Sequence, residues 1–212
     1  DFDSADCHVS TSDWSNTSFV EVTGEIADSS TEAYSEPASA HITYAIPAGE
    51  NAGSFMLRRD FVDDAPSSLS LGFRILQLGT LENYVVGIHW DNGAGDGCSI
   101  ILKLARAGNV QNQLNSSQGT QYYYDLGFNP NDDWRLVTLN VDFAGGKASF
   151  LLDEAVVPNG DQPDLDLASE CSAVPALGSL SVRLGAHYLN DADINTTTFD
   201  AYFDDVILEY GP

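Results

Sequence analysis

Between Trp134 and Glu154 the chain reads WRLVTLNVDF, AGG, KASFLLDE, and apolar residues recur there at every second position. Val137, Leu139, Val141 and Phe143 share one face, while Trp134, Leu136, Thr138, Asn140 and Asp142 share the other. A period of two is that of a half-buried strand, so this stretch is a pair of antiparallel strands joined at Ala144-Gly145-Gly146, where glycine tolerates positive φ. The same alternation sets Leu180, Val182 and Leu184 against Ser181, Arg183 and His187. Helical periodicity is nearly absent. Runs of β-branched, aromatic and leucine residues separated by Gly, Asn, Asp, Ser and Pro predict strands over 17–23, 41–45, 53–61, 69–78, 83–90, 99–106, 121–124, 134–143, 147–153, 178–185 and 200–210. Segments 1–15, 28–40, 91–97, 107–120 and 158–177 read as loops. The expectation is an all-β protein of two packed antiparallel sheets. Nothing recurs at the 20–50-residue period of a propeller or solenoid, and no apolar run is long enough for a membrane helix. A length of 212 residues fits a single domain over 1–212, with 1–15 as an N-terminal segment packed on the sandwich.

Charge narrows the partners. The chain carries 32 Asp and Glu against 8 Lys and Arg, a net charge of -24. Such a surface repels phosphate backbones and anionic lipid, which argues against nucleic acid and membranes and leaves cations, neutral glycans and a saline or extracellular medium as compatible surroundings. Three cysteines allow one bridge and leave one thiol over. Cys7 and Cys171 lie in polar, loop-like segments, whereas Cys98 leads into the apolar run Ser99-Ile100-Ile101-Leu102. The expected pairing is therefore Cys7 with Cys171, with Cys98 a buried thiol.

The last third carries a recognisable order: Trp134-x-x-Val137-x-Leu139-x-Val141-Asp142, a glycine turn, Phe150-Leu151-Leu152-Asp153, Leu180-x-Val182-x-Leu184-Gly185, and Tyr202-Phe203-Asp204-Asp205-Val206-x-Leu208. This series resembles the concanavalin A-like lectin/glucanase superfamily, in particular its laminin-G-like domains. The resemblance implies a jelly-roll β-sandwich, a concave face or loop rim used for glycans, a buried aromatic at Trp134, and often a structural calcium ion. It implies no single activity, because this fold hosts lectins, glycosidases, polysaccharide lyases and adhesion domains.

The residues sort those possibilities. The Glu-x-Asp-x-x-Glu strand of the related glucanases is absent, and Asp153-Glu154 and Asp204-Asp205 are adjacent acids expected on opposite faces, not a paired acid and base. Jelly-roll alginate lyases use Arg-x-Glu-x-Arg, Gln-x-His and Tyr-x-Lys-x-Gly-x-Tyr strands. This chain offers Arg58-Arg59-Asp60, Ile88-His89 and the triplet Tyr122-Tyr123-Tyr124, but Gly87 stands where the Gln would precede His89, and the last strand reads Tyr-Phe-Asp-Asp-Val. Arg58, His89, Tyr122 and Tyr124 are the catalytic set of a lyase reading. Arg58, Arg74, Lys103 and Arg183 all fall inside predicted strands, either as partners of surface acids or as a local positive floor for an anionic sugar.

For a sugar-binding reading the candidates are Trp90, Tyr122, Tyr124, Arg183, His187 and Tyr188, since pyranose C–H faces pack on aromatic rings while polar rims take the hydroxyls. For Ca2+ the oxygen-rich loops supply Asp91, Asp96, Asp191 and Asp193, and the resemblance adds Asp204 with Asp3. The leading expectation is a secreted, extracellular, non-catalytic carbohydrate-binding module, lectin-like and possessing structural calcium. The alternatives are a polysaccharide lyase or glycoside hydrolase with an atypical site, and a structural or adhesion domain of a larger surface protein.

Overall fold

The computed structural model describes residues 14–19, 23–35, 38–46, 52–77, 83–93, 97–104, 110–116, 121–125, 133–157, 164–167, 171, 174–189 and 197–211. Their strands are β1 (Ser15–Phe19), β2 (Thr23–Ser29), β3 (Ser39–Ile46), β4 (Ala52–Asp60), β5 (Ser68–Gln77), β6 (Asn83–Asp91), β7 (Gly97–Leu104) and β8 (Val110–Ser116). They continue with β9 (Gln121–Asp125), β10 (Arg135–Asp142), β11 (Lys147–Leu152), β12 (Ala155–Val157), β13 (Leu165–Asp166), β14 (Ser181–Leu189) and β15 (Thr197–Gly211). No described residue is helical, and no helix is long and apolar enough to cross a membrane.

All pairings are antiparallel. One sheet runs β1-β4-β14-β6-β7-β8-β9, the other β12-β11-β10-β5-β15-β3-β2, with β13 also on β11. The first hairpin read from the sequence is present in register, Val141 opposite Ala148 and Asp142 opposite Lys147. Alternation then builds the core. Leu57, Ile88, Ile100, Val182 and Leu184 come from the seven-stranded sheet, and Leu71, Phe73, Ile75, Val137, Leu139 and Phe203 from the other, all buried in one cluster. The intervening residues face outward, so each sheet presents an outer surface of its own.

Several boundaries differ from expectation for physical reasons. Segment 107–120 was expected to be loop, yet Val110–Ser116 is strand β8. Its sequence VQNQLNS has little apolar content, and it is held as a strand by pairing with β7 on one side and β9 on the other. β2 likewise extends to Ser29 through its ladder with β3.

The disulfide is Cys98–Cys171, with Cα atoms 5.7 Å apart, which overturns the expected Cys7–Cys171 pair. Cys98 lies opposite Trp90 on the core side of β7, and the segment carrying Leu165, Leu167 and Cys171 is buried against the same core, bringing the two sulfurs together. Cys7 lies outside the described residues.

The closing strand also departs from the expectation that Asp204 and Asp205 point to opposite faces. Asp205 has φ 48°, and the register with β5 shifts between Asp204 and Ile207. This bulge turns both carboxylates toward Ser35, whose hydroxyl donates to Asp205 Oδ1 at 2.6 Å and to Asp204 Oδ1 at 3.4 Å.

Candidate functional site

The outward face of the seven-stranded sheet is read from its register. Arg58 of β4 lies opposite Arg183 of β14, and Arg183 lies opposite Gly87 of β6. The next row places Asp60 opposite Ser181, and Ser181 opposite His89. Adjacent rows and strands put these residues within about 5–10 Å of one another at the backbone. The core neighbours Leu57, Val182 and Ile88 fix that orientation, because burying them forces Arg58, Arg183 and His89 to the other side.

Two guanidinium groups therefore sit side by side. Arg58 is anchored by Asp60, with Nε donating to Oδ1 at 2.8 Å and Nη2 at 2.7 Å from the same oxygen. Arg183 is more enclosed, and its buried Nε has no hydrogen-bond partner among the described residues. Burial first and Arg58 second lower the Arg183 pKa, while Asp60 acts in the opposite direction. An arginine remains a cation in any protein environment, so the lowered value marks a charge held at a cost by burial and by the neighbouring Arg58. A buried N–H without an acceptor costs about 1–3 kcal/mol.

Gly87 has a specific use here. A Cβ built on it would run into His89 Nε2 and lie 3.1 Å from Cδ2 and 3.5 Å from Cε1. The imidazole thus lies over the glycine, beside Arg183. The Gln that the lyase pattern places before His89 would displace the ring.

β14 carries a second backbone device. Gly185 has φ 139°, and the β14–β6 register shifts between Leu184 and His187. A matching shift between Tyr84 and Val86 re-phases β6 against β7. As a result His187 pairs with Ser54 on one side and Tyr84 on the other, and Tyr84 pairs with Lys103. Arg183, Gly185 and His187 stand at alternate positions of β14, between β4 and β6.

Other sequence candidates fall elsewhere. Trp90 is 4% exposed and packs edge-on against Phe143 at 5.2 Å, so it is a core residue and not a sugar platform; its even position in β6 points it opposite to His89. Trp134, expected in the core, is half-buried and meets Tyr34 edge-on at 6.2 Å. Tyr122 and Tyr124 pair with Leu114 and Asn112, whose own partners are the buried Ile100 and Leu102. It is Tyr123, through Gln113 and Ile101, that continues the row of Gly87, Arg183 and Arg58. Tyr188 pairs with Gly53. Arg74 is on the other sheet, bound to Asp205 at 2.9 Å, so the strand cations do not form one floor.

Of the calcium candidates, Asp3, Asp96, Asp191 and Asp193 lie outside the described residues. Asp91 uses Oδ1 to accept the Gly93 amide in a turn. Asp204 is 0% exposed: Oδ2 accepts the amides of Tyr34 and Ser35 at 2.7 and 3.1 Å, and Oδ1 that of Asp205 at 2.8 Å. Its carboxylate ties the 34–35 segment to the closing strand. Among the described residues no group of three or more His, Cys, Asp or Glu is placed to hold a metal.

No protein-family model and no curated protein matches this sequence. Solved structures do match its fold. An endo-β-1,4-glucuronan lyase from the fungus Trichoderma reesei superposes with TM-score 0.64 at 11% identity, over 92% of this chain and 90% of that one. A family 7 alginate lyase in complex with product gives TM-score 0.61 at 10% identity, over 81% and 80%. The cellulose-induced protein Cip1 gives 0.59 at 13% identity, over 92% and 90%. Together with the two-sheet topology, these likenesses establish that the chain folds as a jelly-roll β-sandwich of two antiparallel sheets.

Proposed function

We propose that the protein is a polysaccharide lyase acting on a uronate-containing chain laid across the outward face of the seven-stranded sheet. The observation that carries this reading is the pairing of Arg58 with Arg183, whose buried Nε has no acceptor among the described residues, beside the His89 ring. In a chain of net charge -24, two adjacent guanidiniums without a full complement of acids form a receptor for a carboxylate. The fold likeness to lyases named for alginate and glucuronan supports the same substrate class. This reverses the order expected from sequence, where a non-catalytic module led.

The reaction is a β-elimination. Arg58 and Arg183 bind the C6 carboxylate and stabilise the negative charge that builds on it when the C5 proton leaves. His89 takes that proton, the electron pair forms the C4–C5 double bond, and the C4–O bond to the preceding sugar breaks. Water gives a proton to the departing oxygen. The products are a free chain end and a 4,5-unsaturated uronate. A polymeric substrate and the Cys98–Cys171 bridge both suit an extracellular, oxidising setting.

The test is incubation with alginate and with polyglucuronate, following the ultraviolet absorbance of unsaturated ends. Wild type is expected to produce them, and Arg183→Gln and His89→Ala to lose at least a hundredfold in kcat/KM. Polyuronate binding with no unsaturated ends would return the protein to the carbohydrate-binding class. No interaction with any polyuronate would remove the reading altogether.

A further inference from the structure

The outward face of the eight-stranded sheet has a different chemistry. Across β10, β5 and β15 the rows Asn140, Ser70, Glu209 and Asp142, Ser68, Gly211 lie in register. They border a hollow of about 350 Å³, which Leu69, Val141 and Tyr210 of the row between also line. That volume is in the range of small-ligand sites. Its polar side chains are two carboxylates, three hydroxyls and one amide, with no Lys or Arg. Ser70 Oγ donates to Asn140 Oδ1 at 2.8 Å, which orients the amide and leaves its NH2 group without a partner among the described residues. Asp142 Oδ1 accepts the Gly145 amide at 2.6 Å, leaving Oδ2 available. A set of acceptors with a fixed amide donor matches hydroxyl groups, each of which both donates and accepts, and it repels a uronate.

An aromatic platform stands further along the same face. Tyr34 is 51% exposed, and the Arg74 guanidinium lies 3.6 Å from its ring centroid, so one ring face is stacked, while among the described residues no ring or cation stacks on the other. Arg74 is itself held by Asp205, and Trp134 supports the ring edge. Between platform and hollow lies Gly72, where a Cβ would meet nothing nearer than Thr138 Oγ1 at 3.9 Å, flanked by Ile207 at 55% exposure. Six residues of strand separate the Arg74 and Ser68 rows, about 20 Å, which is the length of a short oligosaccharide and not of one sugar.

We propose that this face is a second, non-catalytic site for a neutral glycan chain lying along β5, with pyranose faces on Tyr34 and Ile207 and hydroxyls in the hollow at Asn140. It is independent of the arginine site, being on the opposite sheet and selecting the opposite charge class. The test is affinity gel electrophoresis in hydroxyethylcellulose and in glucomannan, with alginate gels alongside. Wild type is expected to be retarded by at least one neutral polymer. Tyr34→Ala and Asn140→Ala should each weaken that retardation at least tenfold while leaving behaviour toward alginate unchanged, and Arg183→Gln should leave the neutral retardation intact. Absence of retardation in both neutral polymers overturns the proposal. So does retardation that survives both variants, or that Arg183→Gln abolishes.

Discussion

Replacing Gly87 by alanine tests the arginine–histidine site at its tightest point. Gly87 does not have positive φ, so alanine fits the backbone of β6, and the loss of a strand glycine changes stability by no more than about 1 kcal/mol, in the favourable direction. The side chain is the difficulty. Its methyl would sit 3.1 Å from His89 Cδ2 and closer still to Nε2, whereas carbon contacts settle at about 3.5–4.0 Å. The ring must withdraw by about 1 Å. A displacement of that size in a reacting group costs on the order of a hundredfold in rate, equivalent to about 2.7 kcal/mol of barrier. The assay is kcat/KM for release of unsaturated uronate by wild type, Gly87→Ala, His89→Ala and the double variant, with melting temperatures as the control. Gly87→Ala should retain the melting temperature and lose about a hundredfold, and it should cost nothing further once His89 is already alanine. Wild-type turnover in Gly87→Ala, or an equal loss in both backgrounds, would show that the glycine does not serve the imidazole.

Three other outcomes are expected. Asp204→Ala should destabilise the fold by about 3 kcal/mol in urea unfolding, since the Tyr34 and Ser35 amides lose a charged acceptor in a buried place; a loss below about 1 kcal/mol would mean the 34–35 segment is held by other contacts. Reduction of Cys98–Cys171, which spans 73 residues, should cost about 4 kcal/mol by the loop-entropy relation, read as the difference between urea midpoints with and without reductant. Burial, then Asp200 and Glu32, raise the Tyr202 pKa above the ordinary tyrosine value, so the folded chain holds this proton more tightly than the unfolded one. Its contribution to stability is complete below about pH 10 and is lost as pH rises through the folded pKa. Tyr202→Phe, which keeps the ring stacked 4.2 Å from His41, should flatten the alkaline fall in melting temperature; an unchanged slope would assign that fall to other groups.

The residues that misled are as informative as those that did not. Trp90 carries a loop-flanking aromatic signature, yet one position of strand phase separates it from His89 and sends it into the core. The bulge at Asp205 likewise brings two adjacent acids to one side, which strict alternation forbids. Of the arginines singled out in predicted strands, Arg58 and Arg183 meet because β14 inserts between β4 and β6, and Arg74 is removed from them because β5 belongs to the other sheet.

Most of the strand content, the two-layer class and the face taken by residues of regular strands were legible from the residues alone, because a period of two needs only local alternation and a buried side to enforce it. Which strands lie side by side, which cysteines bond and which cations share a surface depend on pairings between segments far apart in the chain. No local pattern encodes those pairings, since every antiparallel ladder offers the same backbone hydrogen bonds. Packing of the whole sandwich chose among them, and with them the placement of Arg58, Arg183 and His89 on one face.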